Sequence, residues 1–209
     1  YNLKLNPAKC AYEVPASKLL GFIINKKSIE IDSAKIKAIQ EMPILKTQKD
    51  VKSFSRKINF IDRFIMQLTS TCESLFKLLK KNTPMHWNEK CQQTFDKIKD
   101  YLLKPPILVL FKPGWPLIMY LSILDETVRC VLEQHNDLKK KEQTIYYISK
   151  IFTTYETNYS FIESYYALVW TTQKLRHYLL FNHTAYFIFR SDFLNICWES
   201  RCRIVYMVK

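Results

Sequence analysis

Glycine is almost missing from this chain: 2 residues in 209, where average usage of ~7% would give about fifteen. Gly21 and Gly114 stand too far apart to write a dinucleotide fingerprint or a phosphate-binding P-loop, so nucleotide binding by a glycine cradle is excluded. Acidic residues are also scarce, 19 Asp and Glu against 32 Lys and Arg, and the net charge of +13 favours an anionic partner. Nucleic acid and an acidic membrane face both satisfy that sign. Long apolar runs are absent: the best, Ile107 to Phe111, is closed off by Lys104 and Lys112 and falls far short of the ~18 residues of a membrane-spanning helix. The six cysteines are scattered, without CxxC pairs or a secretory signal, and read as reduced, mostly core thiols. The four histidines show no HExxH spacing and read as surface or hydrogen-bonded residues.

What the chain does have is apolar and aromatic mass, 48% and 14% of its residues, enough for a buried core in one large domain or two small ones. Residues 3–31 alternate short apolar runs with turn chemistry and predict a small antiparallel strand unit. Asp32 is placed to cap a short helix that carries Ile36 and Ile39 inward and stops before Pro43. Thr47 and Asp50 form a capping-box pattern ahead of Val51, Phe54, Ile58, Ile61, Ile65 and Leu68, which recur every three to four residues and predict a long helix. Another amphipathic stretch runs from Cys72 to Lys81. Asn88 is placed to cap a helix through Leu103, ended by Pro105-Pro106. The period then changes, and Ile107–Leu110, Leu117–Leu124, Val128–Gln134, Gln143–Ile148 and Ala185–Arg190 predict strands, with a helix from Tyr159 to Leu180 before the last.

Two kinds of chemistry are open to such a chain. Phosphodiester hydrolysis with two magnesium ions needs several converging carboxylates, and Asp125, Glu126, Glu163 and Asp192 are the acids available. Each is a single acid near the end of a predicted element, where caps and solvated faces are common. The cations are better grouped: Lys35, Lys37, Lys46, Lys49, Lys52, Arg56, Lys57, Arg63, Lys77, Lys80 and Lys81 fall on the polar faces of successive helices. Such a face can follow a phosphate backbone by counterion release without reading sequence, and it can equally be an ordinary solvated surface.

The run Tyr1 to Cys10 (YNLKLNPAKC), Leu20-Gly21-Phe22, Phe54 to Ile65 (FSRKINFIDRFI), and Trp87 with Phe95 and Ile98-Lys99 resemble the reverse transcriptase of gypsy-type LTR retrotransposons, plant ones especially. Farther on, Met119-Tyr120-Leu121, Cys130 to Gln134, Tyr147 to Lys150, Ala167 to Trp170 and Leu175 to Leu179 resemble that family's connection and RNase H-like region. The resemblance implies an α+β chain: a small antiparallel β unit plus a helical thumb, followed by an RNase H-like α/β domain with a five-stranded mixed sheet. Its divisions would be the end of the polymerase palm with primer-grip-like strands at 1–31, the thumb at 32–85, and a C-terminally truncated connection or RNase H-like domain at 86–209. Tyr1 in place of an initiator methionine reads as a segment of a longer Pol polyprotein.

The departures from the family pattern matter as much. The polymerase aspartates would lie upstream of Tyr1. The first RNase H acid falls on Ser122, the second is displaced near Glu163, where Ser164 or Tyr165 stands, and only Asp192 matches, a weak candidate for metal. A hydroxyl cannot replace a carboxylate that bridges two metals. Arg56 and Arg129 stand where relatives commonly carry glycine, tolerable if they reach solvent and inconsistent if they point inward. The resemblance therefore implies that Leu20, Gly21, Phe22, Lys49, Lys52, Arg56, Lys57 and Arg63 grip an RNA–DNA or DNA template–primer duplex. No cofactor belongs to this segment, Mg²⁺ serves the intact parent enzyme, no membrane is involved, and the setting is intracellular, a cytoplasmic particle or the nucleus. An active RNase H-type nuclease and a decayed retroelement relic are the alternatives.

Overall fold

The structure is a computed structural model. It describes residues 14–79, 86–124, 127–136, 141–153, 160–179, 184–189 and 204–207. The strand unit comprises β1 (Ala16–Leu19), β2 (Phe22–Asn25) and β3 (Ser28–Ile31), all antiparallel. Pairing of Leu19 with Phe22 leaves Leu20 and Gly21 as a two-residue loop, with φ of +49° and +77°. Positive φ at both central positions is what a type I′ turn requires, and its twist matches that of the flanking strands. The earlier strands expected from Leu3 lie outside the described residues.

Asp32 caps α1 (Ser33–Gln40) as expected: its carboxylate accepts from the Ala34 amide at 3.2 Å and pairs with Lys18 Nζ at 2.6 Å. The bond from Lys18 is the largest influence holding that carboxyl below its ordinary value. The capping box at α2 (Gln48–Phe60) is also present, with the Thr47 amide donating to Asp50 at 2.9 Å and the Asp50 amide to Thr47 Oγ1 at 3.2 Å. All six residues of the expected apolar stripe are buried. The helix nevertheless stops at Phe60, and a 3-10 turn (Asp62–Phe64), Gln67 at φ +61°, α3 (Leu68–Thr71) and α4 (Glu73–Lys77) follow. Apolar spacing reports which residues go inside; a chain that turns back in short helical pieces buries the same positions as a continuous helix.

Asn88 caps α5 (Glu89–Tyr101), accepting from the Cys91 amide at 2.9 Å. Phe95 of α5 meets Phe54 of α2 at 5.0 Å between ring centroids, with Trp87 edge-on at 6.2 Å. Each fully buried phenylalanine of this core contributes about 1.5–3 kcal/mol. Pro105-Pro106 then bring the chain back beside β3, where β4 (Leu108–Val109) pairs Leu108 with Ile29. This corrects the expectation that Ile107–Leu110 joins the RNase H-like sheet: Leu108 is wholly buried in the first core and closes a four-stranded sheet, β1-β2-β3-β4. The family resemblance divides the chain at 85, whereas α5 and β4 bury their side chains with α2 to α4.

The second sheet has the order β7-β6-β5-β8-β9, from β5 (Leu117–Leu124), β6 (Thr127–Asn136), β7 (Lys141–Ile151), β8 (Ala185–Phe189) and β9 (Ile204–Met207). β5, β6 and β7 form an antiparallel meander; β8 lies parallel to β5 and β9 parallel to β8. The mixed five-stranded sheet is as expected, with β9 holding the place assigned to residues 107–110. The expected single helix at 159–180 is α6 (Ser160–Lys174) and α7 (Arg176–Leu179), interrupted at Leu175. Alternate residues Leu117, Met119 and Leu121 of β5 and Val128, Cys130 and Leu132 of β6 form a core with Ala167 and Leu175.

The two cores meet at a joint along β7. Arg63 stacks 4.6 Å from the Tyr146 ring and donates to the Tyr178 hydroxyl at 3.2 Å. The Thr69 amide donates to Ser149 Oγ at 3.2 Å, and Tyr147 packs into the first core. Cys72, Cys91 and Cys130 are buried free thiols, and burial pushes Cys72 and Cys130 up to about 12. Cys10, Cys197 and Cys202 lie outside the described residues. Among the described residues, no helix is long and apolar enough to cross a membrane.

Candidate nucleic-acid interface

Lys49, Lys52 and Arg56 sit at i, i+3 and i+7 on α2, opposite the buried Val51, Phe54 and Ile58, and all three are exposed. Arg56 therefore reaches solvent, which resolves how a cation is tolerated at that position. Among the described residues the ion pairs are Lys18–Asp32 and Glu73–Lys77, so no carboxylate neutralises this row. One turn beyond Arg56 the same stripe ends in Phe60, 41% exposed. The β1–β2 turn comes to this end of α2: a Cβ on Gly21 would stand 2.8 Å from Lys35 Cε and 3.3 Å from Phe60. Leu20, beside it, is 78% exposed. Lys35 Nζ lies 5.3 Å from the Phe60 ring. Lys35, Ala38, Arg56, Lys57 and Phe60 thus enclose an apolar-floored, cationic-rimmed hollow of about 270 Å³.

The remaining expected residues are placed differently. Phe22 is half-buried, stacked on Phe60 at 5.0 Å and on Phe64 at 5.6 Å, so it supports the surface from beneath. Lys57 reaches back to α1, its Nζ donating to the Ala38 carbonyl at 2.9 Å. Arg63 is engaged at the joint with Tyr146 and Tyr178, away from the Lys49–Lys52–Arg56 row. Sequence reasoning counted Lys35 among the helix-face cations but not among the gripping residues, and gave Phe60 no role. The available signal was an aromatic residue four positions after Arg56 on an otherwise charged stripe.

On the second sheet Ser122, to which the resemblance assigns the place of the first RNase H acid, is half-buried on β5. Its cross-strand partner is Arg129 of β6, whose own partner on β7 is Ser149, so the three share one face. Arg129 is half-buried, and its Nε is buried with no hydrogen-bond partner. These residues do not fit the two-magnesium centre that the resemblance implies for the parent enzyme: the first ligand position offers a hydroxyl, and its neighbour is a fixed cation that opposes a divalent ion. Asp125, Glu126 and Asp192 lie outside the described residues, as does the side chain of Glu163. No group of three metal-ligating side chains converges among the described residues.

Residues 87–186 match the family described as the RNase H-like domain found in reverse transcriptase. With the mixed sheet, that match makes residues 87–186 similar to a reverse-transcriptase RNase H-like domain, joined here to a helical unit with its own core. The chain is similar to retrotransposon Pol polyproteins. It is 28% identical over 184 residues to the retrovirus-related Pol polyprotein from transposon 412 of Drosophila melanogaster, a match covering 88% of this chain and 15% of that protein. It is 27% identical over 179 residues to the transposon Tf2-3 polyprotein of Schizosaccharomyces pombe, covering 85% and 13% respectively. The chain thus spans less than a fifth of these relatives. Its fold is similar to the foamy viral protease-reverse transcriptase in complex with dsDNA, with TM-score 0.73 and 16% identity over 93% of this chain and 44% of that one. For the same viral protein in complex with RNA/DNA hybrid the values are 0.75 and 17%, over 92% and 29%.

Proposed function

We propose that this chain grips a template–primer duplex, RNA–DNA or DNA, with the β1–β2 turn and the outer face of α2, and holds it without cutting. The observation that carries this reading is the convergence of Lys35, Arg56, Lys57 and Phe60 on one hollow, with Gly21 of the β1–β2 turn close against Lys35 and Phe60 and with Lys52 and Lys49 extending the cationic row along α2. From Lys49 to Arg56 the helix rises about 10 Å, a length of B-form duplex that carries roughly six phosphate charges. Among the described residues the row has no acidic counterpart, and phosphates supply one. An apolar floor beneath it suits sugar edges better than lipid headgroups, and the similar viral fold occurs in complex with dsDNA and with RNA/DNA hybrid.

The absence of cutting follows from Ser122 and Arg129, which oppose the metal chemistry hydrolysis needs. Magnesium then serves the intact parent enzyme and none is required by this segment. The setting we assign is intracellular, beside the remainder of a gypsy-type Pol polyprotein in a cytoplasmic particle or the nucleus.

A salt titration tests the grip. Fluorescence anisotropy of a labelled RNA–DNA hybrid between 50 and 200 mM salt (roughly the range over which phosphate contacts lose most affinity) reads the number of phosphates neutralised. The Lys52→Ala, Arg56→Ala double variant is expected to reduce the slope of log K against log salt by about two. An unchanged slope in a folded variant, or no binding by the native chain, overturns the assignment.

A further inference from the structure

We propose that the Ser122–Arg129 face of the second sheet is a metal-independent contact for a backbone phosphate of the bound duplex, made by the Arg129 guanidinium where the RNase H-like pattern would hold a metal ion. The proposal rests on the reading that the ligand is a nucleic-acid duplex, but it concerns a different surface.

Arg129 and Ser122 are paired across β5 and β6, which puts their Cβ atoms about 4.5–5.5 Å apart on one side of the sheet. The opposite side is the one packed against Ala167 and Leu175, so the guanidinium is not absorbed by that core. Among the described residues, the groups that share its face are otherwise engaged or uncharged. Ser149, across from it on β7, is held by the Thr69 amide and hydroxyl. Glu133, farther along β6, accepts from Thr144, and Glu142 on β7 accepts from the Tyr120 hydroxyl with both oxygens. Thr127 and Val131, two residues to either side on β6, carry no charge. The Arg129 Nε is buried without a partner while the residue as a whole is only half-buried, and a guanidinium finds its usual complement in a carboxylate or a phosphate. Ser122 offers a hydroxyl donor to an anion in that place where an acid would repel one.

A positive charge here does for a phosphate part of what a divalent ion would do: it attracts the oxygens and fixes their position. It supplies neither an activated water nor stabilisation of a leaving oxygen, so contact without cleavage is the consistent outcome. This gives the duplex a second anchor, on the RNase H-like sheet, independent of the α2 row.

The test uses the full 209-residue chain and an RNA–DNA hybrid in EDTA, with anisotropy read across a salt series. Arg129→Met is expected to weaken binding about tenfold at low salt and to reduce the salt slope by about one, and Arg129→Lys to restore most of both. Ser122→Asp, which places a carboxylate opposite the guanidinium, is expected to weaken binding similarly while raising the melting temperature. Unchanged affinity and slope in a folded Arg129→Met chain, or unchanged binding in Ser122→Asp if the first variant does not fold, overturns the phosphate contact and leaves the α2 grip standing. Loss of binding only in the presence of EDTA would overturn its metal independence. Failure of the native chain to bind any duplex would instead overturn the grip itself, and this contact with it.

Discussion

Replacing Gly21 with alanine and Leu20 with glycine should move stability in opposite directions across a single turn. Gly21 sits at φ +77°, where an alanine costs about 1–2 kcal/mol from contact between its Cβ and the following carbonyl. Its Cβ would also stand 2.8 Å from Lys35 Cε and 3.3 Å from Phe60. The lysine end is flexible and swings aside, giving up its place over the Phe60 ring, about 0.5 kcal/mol at an exposed site. Phe60 is stacked on Phe22 and yields less readily. Against this, alanine restricts the unfolded chain and recovers about 0.5 kcal/mol. The net expectation is a loss of about 1–2 kcal/mol, or roughly 2–8 °C in melting temperature for a chain of this size. Leu20 is held at φ +49° with its side chain 78% exposed, so glycine relieves the backbone and forfeits little packing. After the cost of a freer unfolded chain, a gain of about 0.5 kcal/mol remains. Circular dichroism during thermal and urea unfolding reads both. A Gly21→Ala chain as stable as the native one, or a Leu20→Gly chain destabilised by more than about 1 kcal/mol, would refute the left-handed turn and the placement of Lys35 and Phe60 against it.

Asp32 carries a pH dependence with a definite sign. Its carboxyl is lowered by the hydrogen bond from Lys18, so the stability it confers is full above the unfolded carboxylate value of about 3.9 and is lost as pH falls through the lower folded value. Asp32→Asn should flatten that acid limb of urea-unfolding stability; an unaltered limb would discount the Lys18 pair. At the joint, Arg63→Met and Tyr178→Phe should couple by about 0.5–1.5 kcal/mol in a double-mutant cycle followed by urea unfolding, whereas additive effects would mean that the 3.2 Å contact carries no energy.

The elements with their own chemical punctuation were legible in the sequence. Asp32, Thr47 with Asp50, and Asn88 each cap the helix they were expected to cap, because a capping side chain acts within three residues and needs nothing from the rest of the fold. Strands β5 to β8 were legible because alternation over five or more residues has few other readings. What failed depended on distant partners. Residues 107–110 show strand chemistry, but only the folded chain decides that Leu108 pairs with Ile29 and not within the second sheet. Ile204–Met207 is too short a run to stand out until β8 offers an edge. The site divides in the same way. Lys49, Lys52 and Arg56 follow from helical spacing, while Lys35 and Phe60 join them only because the β1–β2 turn folds down onto α2. Arg63 looked equivalent to its neighbours until the helix ended at Phe60 and turned it toward Tyr178. The sequence left Arg129 either inward or solvated; cross-strand register put it opposite Ser122.

The central claim, a duplex held and not cut, meets its most direct test in one incubation. The purified chain is mixed with an end-labelled RNA–DNA hybrid in Mg²⁺ or Mn²⁺, and samples are run on native and denaturing gels. The account predicts a retarded hybrid on the native gel and full-length RNA on the denaturing one; Ser122→Asp weakens the retardation but still leaves the RNA uncut, since one restored acid does not complete a two-metal centre. Metal-dependent shortening of the RNA, abolished by Asp192→Asn, would contradict it and identify a working nuclease site.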